Sequence, residues 1–523
     1  MKKSSRTRNS ALNLITSIGG QLLVTALHFV TRTVFVNTLG ASYLGIGGLF
    51  TNILSMLSLT ELGVATAITF KLYQPLANND EKRVRVLMKF YKQAYRVIGI
   101  AIMVLGLCLI PTLPFLIKDY ESLEALEINA VLVFILYLLQ SVSSYLFFAY
   151  RSAIMRANQK KYILDVADYA VTIMTSVTQI LILIFLRDFV IYTASVIVFN
   201  IIKNIINAII SKKRYPEFFI REKDSISKEE VFGLIKDCGA LFLYKINAVV
   251  IKATDNLVLS TFWGLVLVGK YSNYLLIYRT IVSLLKKVYE AIRASMGNLF
   301  ATESVEKQYS FFKIVNFVSI VLFGTAGVGV AVCANELIQV WLGEKYVVDS
   351  VLPVLIGVEL LFAGIILNLT QIRSVSGVFR QMWYRPLLGI LVNLGVSIAL
   401  VQIWGISGVV VGTIATYFFT NFLIDPILIH KYSFNNFKPV SEYYKKNFLY
   451  IFILSAICAA DMFICNNVFV GHGWFSVIVH ILFVGLSVPC VLVLIFWNRE
   501  ECIYFRNLLV RVKERVFKAI RKK

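Results

Sequence analysis

Fourteen apolar stretches, each long enough to cross a hydrocarbon layer that takes about 20 helical residues to span, dominate this chain. They run over 10–38, 44–75, 86–117, 125–156, 161–186, 190–212, 230–262, 266–298, 310–342, 350–378, 382–403, 406–430, 444–466 and 474–497. In lipid each backbone N–H and C=O must be satisfied inside the segment, so these stretches imply helices. Several exceed the minimum by about ten residues, which implies tilt or projection into the cytosol. The expected fold is therefore all-α, a polytopic membrane protein with 14 transmembrane helices. Composition agrees: 58% of residues are hydrophobic and 16% charged, against about 45–50% and about 25% in soluble domains.

The charge pattern orients the helices. Of 52 Lys and Arg, 43 fall at the N-terminus, in the even-to-odd loops with their flanking turns, and in the C-terminal tail. The opposite loops hold Lys118, Arg187 and Lys345 among acids such as Asp119, Glu121 and Asp349. By the positive-inside rule both termini are cytoplasmic. The net charge of +22 is thereby topological, and with no basic domain to carry it a nucleic-acid partner is excluded. The tail, 499–523, spaces apolar residues among basic ones as a helix lying on the inner leaflet would. Its expected partner is anionic membrane lipid at the cytoplasmic face. The basic N-terminus leads into about thirty residues without a cleavable small-residue site, which reads as a retained first helix.

Seven scattered cysteines show no C-x-x-C pair and no histidine at ligand spacing, so neither a disulfide framework nor a metal is expected.

An internal repeat organises the chain. Arg151-Ser152 with Tyr162 eleven residues after Arg151 ends the fourth stretch, and Arg373-Ser374 with Tyr384 eleven after Arg373 ends the tenth. Asn204 and Tyr215 close the sixth stretch as Asn421 and Tyr432 close the twelfth. The offset is near 220 residues, and six helices per copy keep both copies in one membrane orientation. The expected division is an N-lobe over 1–213, a cytoplasmic linker over 214–229 and a C-lobe over 230–432. Two extra helices follow over 433–498, then the tail. Two-lobed transporters place their binding site between such halves.

Intramembrane polar residues are the functional candidates. Asn13, Ser17, Gln21, Thr25, His28 and Arg32 follow at steps of three and four, one face of the first helix. The seventh stretch carries Asp237, Lys245, Lys252 and Asp255; the eighth carries Lys270, Asn273, Tyr274 and Arg279. At an offset of 224, His28 corresponds to Lys252 and Arg32 to Asn256. A charge at mid-membrane costs about 2.5–3.5 kcal/mol even on the lenient scale, so a retained one usually faces a cavity. The cations Arg32, Lys245, Lys252, Lys270 and Arg279 outnumber Glu61 and Asp255, which implies an anionic ligand. The bland alternative is mutual pairing, as between Lys252 and Asp255. Glu61 suits either a coupling proton or cation, or a charge pair with Arg32. Of four histidines, His28 alone falls on a polar intramembrane face, too few for a catalytic histidine with a nucleophile. No enzyme activity is expected.

The segment from Arg32 to Tyr91, RTVFVNTLGASYLGIGGLFTNILSMLSLTELGVATAITFKLYQPLANNDEKRVRVLMKFY, resembles the N-terminal signature of Wzx-type polysaccharide flippases. These belong to the multidrug/oligosaccharidyl-lipid/polysaccharide exporter superfamily, whose fold is MATE-like. The resemblance implies alternating access of two six-helix lobes, moving undecaprenyl-pyrophosphate-linked oligosaccharide to the outer leaflet of a bacterial cytoplasmic membrane for surface polysaccharide. It further implies a cationic cavity including Arg32, no cofactor beyond proton or sodium coupling, and neighbouring polymerase and glycosyltransferases as partners. The rival readings are a lipid II flippase, a multidrug cation antiporter, for which an acid in the first helix would be expected, and a membrane polysaccharide polymerase or acyltransferase.

Overall fold

A computed structural model describes residues 6–58, 68, 71–76, 78–118, 120–121, 123, 128–158, 160–220, 222, 224, 226–378, 380–469, 471, 473–504 and 507. It is all-helical: no strand occurs among the described residues. The helices are α1 (Arg6–Thr38), α2 (Ala41–Leu57), α3 (Glu81–Leu109), α4 (Ala130–Leu146), α5 (Lys161–Phe185), α6 (Phe189–Arg214) and α7 (Lys228–Trp263). They continue as α8 (Leu265–Thr302), α9 (Val305–Leu342), α10 (Val351–Ser376), α11 (Arg385–Thr416), α12 (Asp425–Tyr432), α13 (Val440–Asn467) and α14 (Gly473–Ile495).

Local chemistry sets several starts. The side chains of Asp80, Asn129, Asp188 and Ser227 each accept a hydrogen bond from a backbone N–H three residues on, capping α3, α4, α6 and α7. α4 runs on through a turn at Ala149–Arg151 into a short helix, Ser152–Ala157, with a bend of 43°. Phe148, at φ 58°, makes that bend.

α11 is two antiparallel arms. Gly405 has φ 54° and ψ −126°, outside the helical region. Asn393 donates to Thr413 at 3.3 Å, although twenty residues of straight helix would separate them by about 30 Å. A Cβ on Gly408 would overlap the Leu400 carbonyl, and one on Gly412 the Ser397 side chain, so glycine is what lets the arms touch. The expected stretches 382–403 and 406–430 meet at this reversal, and the second arm continues through a π-turn, Tyr417–Phe422, into α12.

Among the described residues eight helices are long and apolar enough to cross a membrane, nine with the bent α4 pair. The shortfall from fourteen falls on α1, α7 and α8, which bear the polar stripes, on the 17 residues of α2, and on α11 with α12, counted once. The chain is a multi-pass membrane protein whose helices are consistent with fourteen spans.

The chain forms two compact units, Met1–Ser272 and Asn273–Lys523. In the first, α1 lies along α5, where Gly20 leaves space for the Tyr169 ring, and α2 packs on α7. The linker after α6 is pinned to the start of α3 by Arg85–Glu222 (3.0 Å) and Lys82–Asp224 (2.7 Å), and the first turn of α7 by Arg83–Glu230. In the second unit α9 is the central element, packed on α10, α13 and α14. Gly327 and Gly357 face each other's carbonyls across α9 and α10, and Phe312, Phe317, Leu369, Phe422 and Tyr450 belong to the core of this unit.

One crossing in the first unit is symmetric in sequence. A Cβ on Gly45 of α2 would overlap the Leu265 backbone, and a Cβ on Gly269 of α8 would overlap the Ala41 backbone. Ala41 and Leu265 are 224 residues apart, as are Gly45 and Gly269, so the repeat offset maps this contact onto itself. The residues leading into the two helices match as well. Gly40 has φ 89° and ψ −172°, Gly264 φ 83° and ψ 175°. Both lie where an L side chain is strained.

Candidate functional site

The polar face of α1 ends at Arg32. Gln21 and Thr25 are half-buried, His28 is exposed, and the Asn13 and Ser17 side chains lie outside those described. Arg32 is half-buried, and its Nη2 donates to Ser272 Oγ at 2.6 Å. Ser272 Oγ in turn donates to the Gly269 carbonyl at 2.7 Å. Gly269 is the residue that admits Ala41, so the guanidinium is tied through one hydroxyl to the symmetric crossing of α2 and α8.

Around Arg32 the first unit supplies hydroxyls and rings. Tyr137 of α4 and Tyr192 of α6 lie within its electrostatic reach, and Tyr137 is hydrogen-bonded to the buried Thr193. Gly47 makes room for Tyr137, whose Oη would stand 2.6 Å from a Cβ there. Phe35 meets Phe189 and Tyr192 edge-on, and Phe50 meets Phe134 and Tyr137 in the same way. A planar cation on a wall of hydroxyls and ring edges can receive a phosphate through paired N–H donors.

The other expected site residues are placed as follows. Lys270, on the first turns of α8, is half-buried in the first unit. Asp255 of α7 is buried, beside the buried Asn256 that Gly48 of α2 approaches. Lys245 and Lys252 lie on α7, but their side chains are outside the described set, and Glu61 lies outside the described residues. Arg279 belongs to the second unit, where it is exposed.

Intramembrane acids are more numerous than the comparison with Glu61 and Asp255 implies, and they cluster in the second unit. Glu359 of α10 is buried and hydrogen-bonded to Tyr278. Glu336 of α9 meets His480 of α14 at 2.7 Å. Asp461 of α13 accepts from Ser487 of α14 at 2.7 Å. Asp425 of α12 sits between Arg373 of α10 and Arg385 of α11, each at 3.1 Å, all three nearly inaccessible. His480 is therefore a further intramembrane histidine beside His28, and it has a polar partner. None of these residues lies in a periodic polar stripe; each meets a partner from another helix, and Asp425 meets two, a pattern that single-helix spacing cannot reveal. With these acids present, an excess of cations does not by itself mark a ligand.

No protein-family model matches the chain, and no curated protein matches its sequence. Solved structures do match in fold. A lipid II flippase, MurJ, in an inward closed conformation gives a TM-score of 0.67 at 14% identity, covering 95% of this chain and 100% of that one. An inward-facing multidrug resistance transporter of the MATE family, in the MOP superfamily, gives 0.62 at 14% identity, covering 81% of this chain and 99% of that one. An outward-facing MATE family transporter gives 0.54 at 14% identity, covering 81% and 96%. The chain thus has the fold shared by MATE transporters and this flippase.

Proposed function

We propose that this chain is a flippase carrying an undecaprenyl-pyrophosphate-linked oligosaccharide from the cytoplasmic to the outer leaflet by alternating access, for surface polysaccharide synthesis. The observation that carries the reading is Arg32, an intramembrane guanidinium whose Nη2 donates to the Ser272 hydroxyl and which lies within electrostatic reach of Tyr137 and Tyr192. A diphosphate-sugar head cannot enter hydrocarbon unaided. A guanidinium fork among hydroxyls replaces part of its hydration, while the polyprenyl tail remains in lipid. Lys245, Lys252, Lys270 and Arg279 are the further cations proposed to meet the head group, with Glu61 or Asp255 as coupling or charge-balancing acids.

The fold supports a large lipid-linked cargo. The match to the lipid II flippase covers 95% of this chain, that to the inward-facing MATE transporter 81%. A cation antiporter would be better served by an acid where α1 has Arg32. The same comparison favours lipid II as the second reading, since its head also carries a pyrophosphate.

The test is reconstitution of the full chain in vesicles loaded on one leaflet with a polyprenyl-pyrophosphate oligosaccharide, lipid II or a fluorescent cationic drug. Movement of the oligosaccharide lipid that Arg32→Glu abolishes supports the proposal. Movement of lipid II alone selects the second reading, and movement of the drug alone overturns both.

A further inference from the structure

His480 is held at both ring nitrogens. Nε2 lies 3.1 Å from the Phe469 carbonyl oxygen, in the turn between α13 and α14, and Nδ1 lies 2.7 Å from Glu336 Oε2 on α9. The imidazole is 8% exposed and the Glu336 side chain 23%. The titratable groups gathered here come from every helix packed against this part of α14. α9 gives Glu336 and Cys333, and α13 gives Asp461 and Cys465; each thiol lies within electrostatic range of both carboxyl groups, and the two thiols of each other. α14 adds Ser487, which donates to Asp461.

The protons can be counted from these contacts. A carbonyl oxygen only accepts, so Nε2 carries a hydrogen. If that were the only ring proton, Nδ1 would present a lone pair to an ionised carboxylate oxygen at 2.7 Å, two acceptors in repulsion inside a buried site. One more proton must lie on the Nδ1–Oε2 line, whether as imidazolium with carboxylate or as imidazole with carboxylic acid. Either form is neutral overall, which suits a place that already holds Asp461 and two thiols.

We infer that His480 and Glu336 form a proton-binding site that joins α14 to α9, and that loss of its proton leaves the ring one N–H for two acceptors, so that one of its two hydrogen bonds is lost. The inference concerns a proton and stands apart from the proposed cargo.

The chain has four histidines, His28, His430, His472 and His480, which makes the site readable by nitrogen NMR of histidine-labelled full-length protein in lipid nanodiscs. The signal lost in His480→Gln assigns the ring; should that variant not fold, replacing the other three histidines leaves one ring to observe. The expected result is a His480 ring with both nitrogens protonated or sharing a proton, giving up one proton as pH rises. Glu336→Gln should remove that step, because an amide N–H donates to Nδ1 without an added proton. A bare Nδ1 at every pH at which the protein is folded would overturn the inference, as would the same titration in Glu336→Gln.

Discussion

Gly45 of α2 and Gly269 of α8, 224 residues apart, each lack the Cβ that would collide with the backbone of the other's helix. The contact is self-complementary, as in an isologous dimer interface, but within one chain. A side chain can rotate away from an intruding methyl; a carbonyl fixed in a helix cannot.

Gly45→Ala and Gly269→Ala are each expected to destabilise the protein by about 1–3 kcal/mol, the usual scale of overpacking. Gly48→Ala serves as the control, because its Cβ would meet Asn256 Nδ2 at an ordinary 3.5 Å. Thermal unfolding in detergent is the measurement. A Gly48 variant as unstable as the other two would refute the assignment of the crossing.

Arg32→Lys retains charge and loses the planar fork, so transport of a pyrophosphate lipid should fall at least tenfold, with protein level and melting temperature preserved. Ser272→Ala removes the hydroxyl that accepts from Nη2 and should raise the substrate concentration for half-maximal flipping. Unchanged flipping in Arg32→Lys would reduce Arg32 to a generic positive charge.

Asp425 is the carboxylate shared by two buried arginines. Asp425→Ala leaves Arg373 and Arg385 facing each other without it, and is expected to cost about 3–5 kcal/mol and most of the folded yield. Replacing all three with apolar residues of similar volume should recover much of that yield, measured by fluorescence-detected size-exclusion. Recovery absent from the triple variant would mean the arginines serve more than this acid.

The segment after α14 is held to α9 and α13 by Glu500 with Lys313 and by Glu501 with Lys446, both at 2.8 Å. The lysine and serine contacts of Glu500 hold its carboxyl below the usual range. At Glu501 burial is the largest influence and opposes ionisation, but the Lys446 bond, a backbone hydrogen bond and the charges of Lys446 and Lys313 together outweigh it, and the carboxyl is again lowered. A depressed carboxylate stabilises above its unfolded value of about 4.3 and loses that stabilisation as pH falls through the folded value. Acidification below about pH 4 should therefore free the segment, read as mobility of a spin label at Tyr504. Lys446→Ala should shift the release at Glu501 to higher pH. A label equally mobile at pH 7 and pH 3 would contradict the attachment.

The helices were legible because a membrane core demands long apolar runs, and each expected stretch contains helix. The reversal at Gly405 was legible too: boundaries at 403 and 406 bracket it. Single-helix periodicity exposed Arg32, since a stripe on one helix is local information. Glu336, Glu359, Asp425 and Asp461 escaped because what makes each tolerable is a group on another helix. The repeat was legible as matched residues but not as matched environments. Arg373 is buried against Asp425, whereas its counterpart Arg151 lies 4.8 Å from the Phe148 ring centroid and 5.3 Å from that of Phe219.

The bonds that fasten α13 and α14 to α9 fall at its two extremities. Lys313 and Asn316, bonded to Glu500 and Asn447, lie near one end, and Glu336, bonded to His480, near the other. Twenty residues separate Asn316 from Glu336, about 30 Å of helix and close to the full hydrocarbon thickness. The two final helices are thus a beam clamped at both ends, with a proton in one of the clamps. Loss of the bond in that clamp would leave the packed pair hydrogen-bonded to α9 at the other end, so that a single proton alters how the pair is held at one face of the membrane.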